Sequence, residues 1–290
     1  MNLRPDPTFH ASAKLAMEAP VENYAFTVMF SPDFSQPDGI AVIDLKKGSK
    51  TYGEIVHKVI VPNKGDEFHH CINVLRLQEG DPIIIFNGQG TEMETTINSV
   101  SKKTAYLNGQ GQKQSPSAKT KIALGQAIPK GKNMDLIIEK ATELGVNQIY
   151  PIITERTIIR LNEREIIKKQ GKWQRVAIEA CKQSGQNWLP KVNKPQKISS
   201  ILESTFKEFE LVLIASLQES AEHLKSILST IGNKNLESVF ILIGPEGDLT
   251  PSETNKIIEA GAKPMTLGPI TLRSETAAIY AISIIAHELF

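Results

Sequence analysis

Two short apolar runs near the end of the chain, each broken off by glycine, constrain the fold more than any other feature. Phe240-Ile241-Leu242-Ile243 runs into Gly244-Pro245-Glu246-Gly247-Asp248. Pro264-Met265-Thr266-Leu267 runs into Gly268-Pro269-Ile270-Thr271-Leu272-Arg273-Ser274-Glu275-Thr276-Ala277. Apolar runs of this length, ended by turn residues, read as buried strands. The carboxyl ends of such strands are where an open α/β sheet binds its ligand. Glycine at that point lets backbone N–H and C=O groups approach a flat ligand with no side chain between them. Arg273 and Glu275, just ahead of a helix, add a donor fork and a carboxylate. The loops therefore suit an anionic group, a planar ring and proton transfer.

The flanking sequence predicts the rest of an α/β domain over 119–290. Ile122 to Ala127 reads as a strand. Asn133 caps a helix to Leu144, with Gly145 past its end, and Met134, Ile137, Ile138, Ala141 and Leu144 recur at helical spacing. Ile149–Ile153 reads as a strand, Trp173–Lys182 as a helix and Leu211–Ala215 as a strand. Thr250-Pro251-Ser252-Glu253 is a capping box with proline at the first helical position, Gly261 closes that helix, and the last helix runs from Ser274 to Leu289. Such alternation means a mainly parallel sheet with helices on both faces.

Upstream the pattern is that of strands. Apolar stretches at 40–43, 55–60, 82–86, 93–100 and 103–107 predict a small β domain over 39–114, with a short helix at 69–76. Residues 1–38 read as a poorly ordered extension, and the Gly-, Gln- and Ser-rich run at 109–119 as a linker.

Charge is informative only locally. The 33 basic and 32 acidic residues nearly cancel, but no Asp or Glu occurs between Thr95 and Met134, where Lys102, Lys103, Lys113, Lys119, Lys121, Lys130 and Lys132 fall. That segregation marks a candidate phosphate-contacting surface, with a solvated linker as the plainer alternative. Cys71 and Cys181 form no zinc pattern, and His69-His70 has no carboxylate or cysteine spacing around it, so no metal is expected. A reduced, cytoplasmic setting is expected, and no apolar run approaches the ~20 residues of a membrane span. The absence of GxGxxG argues against an ordinary dinucleotide site.

GPEG followed by LG-x-x-x-LR-x-ETA resembles the RsmE family of SPOUT methyltransferases. The resemblance extends to His70-Cys71-Ile72-Asn73-Val74-Leu75-Arg76-Leu77 with Gly80-Asp81, to Glu139-Lys140-Ala141-Thr142-Glu143-Leu144-Gly145-Val146, to Glu155-Arg156 and to Gln183-Ser184, in family order over about residues 69–290. Gln186 stands where the family usually has arginine, Asp248 where a second glycine is frequent, and Thr271 where isoleucine is usual. The resemblance implies methylation of uracil N3 in small-subunit (16S) ribosomal RNA, with S-adenosylmethionine as cofactor. It also implies a β-barrel-like (PUA-like) front domain, a C-terminal trefoil knot and a homodimer. Residues 1–70, with Pro32-Asp33-Phe34-Ser35-Gln36-Pro37-Asp38-Gly39 and Thr51-Tyr52-Gly53, instead resemble the start of the selenium-binding protein/methanethiol oxidase family. Those proteins are propellers, which need several blades closed in a ring, and this stretch is too short to form one. The chain reads as a fusion near Asp66–His70, which leaves an inactive fusion or RNA-binding remnant as the alternative function.

These readings nominate residues. Leu217, Gly244, Pro245, Glu246, Gly247, Leu267, Gly268, Leu272 and Thr276 are expected to hold the cofactor, through apolar walls and loop backbone. Arg273 and Glu275 are the catalytic candidates; an ion pair between them is the structural alternative. Removing the uracil N3 proton needs a base or a contact that stabilises the enolate, and Glu275 and Glu246 are the acidic residues available in these loops. Arg76, Lys130, Lys132, Arg156 and Arg160 are the candidate RNA contacts.

Overall fold

A computed structural model of the 290-residue chain describes residues 24–29, 39–44, 50, 55–60, 69–101, 104–131, 133–157, 161–231 and 236–290. The chain divides into two units, 1–115 and 116–290.

The first unit contains two separate antiparallel sheets. Strands β1 (Tyr24–Met29), β2 (Gly39–Asp44) and β3 (Ile55–Ile60) form one, and β4 (Pro82–Phe86), β5 (Thr91–Ser101) and β6 (Thr104–Gln114) form the other, each in sequence order. A π-helical turn at His69–Val74 separates the two in sequence. Strand β1 falls inside the segment read as an extension. The run beginning at Gly109 is strand rather than linker, because β6 continues to Gln114 opposite β5. One of its glycines has a packing reason. A Cβ on Gly109 would lie 2.9 Å from Met93 Sδ, and the ladder shifts register between Glu94 and Thr95 next to it.

The second unit is built on eight parallel strands. They are β7 (Lys121–Ala127), β8 (Gln148–Ile153), β9 (Lys191–Val192), β10 (Gln196–Lys197), β11 (Leu211–Ala215), β12 (Glu222–His223), β13 (Ser238–Ile243) and β14 (Lys263–Thr266). Their spatial order is β10-β8-β7-β13-β11-β14-β12, with β9 also on β8. Among the described residues, five helices of eight residues or more interleave with them: α1 (Asn133–Glu143), α2 (Glu163–Ser184), α3 (Leu224–Ile231), α4 (Pro251–Glu259) and α5 (Ser274–Leu289).

Strand β13 shows why the sheet is buried on both faces. All six of its residues are buried, and successive side chains point to opposite sides. Val239, Ile241 and Ile243 join Ile122, Leu124, Ile137, Ile138, Ala281 and Ile285 in one core. Phe240 and Leu242 join Tyr150, Ile152, Ile201, Phe206, Ile214 and Ile257 in the other. The second core centres on Phe240, whose ring lies 5.2–5.5 Å from those of Tyr150, Phe206 and Phe209. Gly125 of β7 makes room for that ring: a Cβ there would sit 2.5 Å from Phe240 Cζ.

Helix α2 begins ten residues before the predicted Trp173. Asn162 Oδ1 accepts from Glu165 N–H while the Glu165 carboxylate accepts from Asn162 N–H, a reciprocal cap. Cys181 near its end is buried, and burial pushes its thiol up to about 12. Thiolate is the reactive form, so at pH 8 Cys181 holds almost none. Iodoacetamide on the native protein at pH 8 should therefore modify the partly exposed Cys71 and spare Cys181 until denaturant is added. Native labelling of Cys181 at the rate of the unfolded chain would contradict this packing.

Candidate active site

The loops that leave β11, β13 and β14 meet at one edge of the sheet and enclose a cleft of about 310 Å³. This edge is the carboxyl end of three adjacent parallel strands. Its apolar walls come from Leu217, Ile243, Leu267 and Leu272, with Met265 and Ile270 beside them. Leu217 is 67% exposed and Ile270 is 74% exposed, which leaves an apolar rim open to a flat ligand.

Each loop is held by its own chemistry. In the β13 loop, Asp248 N–H donates to Pro245 O at 2.9 Å, and Asp248 itself sits at φ +61° with its Oδ1 accepting from Leu249 N–H. That left-handed backbone is where glycine is cheapest. Arg156 Nη1 donates to Gly247 O at 2.6 Å and ties the same loop to the segment after β8. Lys130 N–H donates to Glu246 Oε1 at 3.0 Å. The following helix is anchored by Glu253, whose buried carboxylate accepts from Thr250 N–H within the predicted capping box and from Glu155 N–H. In the β14 loop Gly268 stands at φ +133°, a backbone that side chains rarely adopt.

The nominated cofactor residues divide accordingly. Leu217, Gly244, Pro245, Glu246, Leu267, Gly268 and Leu272 line the cleft, as does Arg273. Gly247 lies behind the lining, spending its carbonyl on Arg156, and Thr276 is exposed on the first turn of α5. Glu275 is not in the lining either, although its Oε2 is buried with no hydrogen-bond partner. Among the described residues no ion pair joins Arg273 to Glu275, so the arginine is not tied up by its neighbour. Arg273 is exposed and occupies the N-cap of α5 without a side-chain cap bond.

The RNA candidates fall in both units, and two of them, Lys130 and Arg156, bond adjacent residues of the β13 loop. Arg76 is exposed at φ +56° in the first unit, Lys130 is exposed beside Glu246, and Arg156 braces Gly247. Lys132 and Arg160 lie outside the described residues, as do Lys102 and Lys103. Lys113 pairs with Glu94, and Lys140 with Glu139 and Glu143. Sequence reasoning missed Ser216, Ser274 and Ala277 in the lining. Only Ser274 carried a local signal, as the first residue of a helix placed against a glycine loop.

Residues 116–286 match the RNA methyltransferase domain family, and residues 64–108 match the RNA methyltransferase PUA domain family. The ribosomal RNA small subunit methyltransferase E of Bacillus subtilis is 33% identical over 227 residues, covering 77% of this chain and 88% of that protein. The chain belongs to the RsmE family. The enzyme of the same name from Synechocystis is 31% identical over 75% of this chain and 69% of its own length. Among solved structures, the RsmE of Neisseria gonorrhoeae bound to S-adenosyl methionine aligns with a TM-score of 0.68 at 30% identity, over 77% of this chain and 90% of that one. A Legionella pneumophila methyltransferase in complex with the cofactor SAM aligns with a TM-score of 0.71 at 30% identity, covering 79% and 90%. Residues 3–73 match a different family, the 56 kDa selenium-binding protein. The two matched regions overlap from residue 64 to 73, around the His69-His70 pair. Among the described residues no cluster of His, Cys, Asp or Glu could hold a metal ion, and no helix is long and apolar enough to cross a membrane.

Proposed function

We propose that this RsmE-family chain binds S-adenosylmethionine in the β11–β13–β14 cleft and methylates N3 of a uridine in small-subunit ribosomal RNA. The observation that carries the reading is the cleft itself: three glycine-bearing or apolar loops at the carboxyl ends of adjacent parallel strands, with an arginine in the lining that no carboxylate among the described residues pairs. The residues fit such a ligand. About 310 Å³ lies at the lower end of the ~300–1,000 Å³ of small-molecule sites. Glycine at 244 and 268 keeps side chains away from the edge of a flat ligand, and Leu217, Leu267 and Leu272 can sandwich a ring. When bound, the cofactor supplies an electrophilic methyl on a sulfonium.

The chain's own residues then have two tasks. Arg273 positions the uracil and offsets charge that develops on its oxygens as the N3 proton leaves. A carboxylate takes that proton. Glu246 lines the cleft but already accepts from Lys130 N–H, whereas Glu275 keeps a buried oxygen free of donors. Three further elements complete the reading. The PUA-type unit and the lysine-rich stretch grip RNA, the sheet with α5 packed against β7 and β13 forms the trefoil knot, and the enzyme works as a cytoplasmic homodimer.

Purified protein should bind S-adenosylmethionine by calorimetry with no added metal. Gly244→Val should abolish binding. A Cβ at Gly244 would touch nothing closer than 3.4 Å, so affinity lost at an unchanged Tm reports on the ligand's approach. Metal-dependent binding, or G244V protein with unchanged affinity, would remove the assignment.

A further inference from the structure

Behind the cleft a buried glutamine links three segments that are distant in sequence. Gln126, the penultimate residue of β7, is 0% exposed. Its Nε2 donates to Ala127 O at 2.8 Å and to Ser274 Oγ at 2.9 Å. Ser274 Oγ in turn donates to Gly244 O at 2.7 Å. The polarity of the chain is fixed. Ala127 O can only accept, so the amide must present its nitrogen there, and that nitrogen also reaches Ser274. With its oxygen accepting from Gln126, the serine hydroxyl turns its one proton to the Gly244 carbonyl.

We infer that Gln126 is a positioning residue that acts through Ser274 to fix the Gly244 peptide in the orientation the cofactor loop needs. This rests on the proposed S-adenosylmethionine cleft, of which Gly244 and Ser274 both form part. A second observation separates the role from a merely structural one. Gln126 Oε1 is buried with no hydrogen-bond partner. An unsatisfied buried acceptor destabilises a fold, and an apolar residue of the same shape would remove that cost. A buried glutamine that carries such a stability cost is expected where its donor does work for a binding site. The two bonds of the relay hold the first residue of the β13 loop and the first residue of α5 to the end of β7. The bond from Gln126 to Ser274 spans 148 positions in the chain.

The test is a mutant cycle on the full chain, read by calorimetric Kd for S-adenosylmethionine, by KM for cofactor and for RNA, and by Tm. Gln126→Leu should weaken cofactor affinity about tenfold, the size of one lost hydrogen bond acting on the bound state. Its Tm should stay level or rise, because the orphaned oxygen is gone. KM for RNA should move less than about twofold. Ser274→Ala should reproduce the tenfold loss, Ser274→Thr should restore most of it, and the double variant Q126L/S274A should be no worse than either single one, as members of one relay are not additive. Hundredfold loss in the double variant, or an unmoved Kd in Q126L, overturns the relay. If Q126L does not fold, the Ser274→Ala and Ser274→Thr pair still decides, since equal affinity in both means the hydroxyl does nothing. Wild-type protein that fails to bind overturns the cleft assignment instead, which keeps the two failures apart.

Discussion

Arg273→Ala should lose methyl transfer to small-subunit RNA by roughly 10² or more while holding cofactor affinity within a few-fold. The size follows from its surroundings. The side chain lines the cleft, is exposed, and has no carboxylate partner among the described residues. It caps no backbone group at the start of α5. Truncation therefore costs the fold little, and the loss falls on the step in which charge develops on the base. Lysine should not rescue, because one ammonium cannot reproduce a planar donor fork. Single-turnover methylation with saturating cofactor, beside calorimetry on the same variant, checks this. A parallel collapse of cofactor affinity would make Arg273 a cofactor-holding residue and end its catalytic assignment.

Gly125→Ala should be strongly destabilising. The added carbon would lie 2.5 and 2.6 Å from two atoms of the Phe240 ring and 3.0 Å from Ile152 Cδ1. The ring cannot retreat freely, since it is itself fully buried and packed by Tyr150, Phe206 and Phe209. Overpacking of this kind costs about 3 kcal/mol, or a fall in Tm on the order of 10 °C for a unit of this size. Phe240→Leu opens the space, so the double variant G125A/F240L should be more stable than the two single losses predict, with a coupling of about 1–3 kcal/mol. Thermal melts that show G125A at the wild-type Tm would mean that β7 and β13 do not meet with this side-chain register.

How much of this was legible in the sequence depends on the range of the interaction. The capping box at Thr250, the last helix from Ser274 and the strand at Leu211–Ala215 coincide with their predicted positions, because each is written in adjacent residues. The start of α2 was equally local, in Asn162 and Glu165, but it was masked by the weak apolar periodicity of the lysine-rich turns that follow. Strand β6 was hidden for the opposite reason. Its glycines look like linker, yet Gly109 serves as clearance for Met93 on the neighbouring strand. The cleft's glycine loops could be read from their flanking strands. Gln126 could not, since nothing near it in sequence announces Ser274.

The central position of β13 has a consequence for how the protein reaches its native state. It is flanked by β7 on one side and β11 on the other, and the bond from Thr120 Oγ1 to Leu236 O at its entrance joins residues 116 positions apart. Parallel pairing over such a span must close a long loop before any contact rewards it, so it forms late. On a ribosome synthesising from the amino end, the first unit and strands β7 and β8 emerge with a raw edge and no central partner. Until β13 arrives, that edge is the surface most prone to pair with the wrong strand, and the ligand cleft does not exist at all. A ribosomal RNA methyltransferase thus depends on nearly the whole of its own translation before it can act.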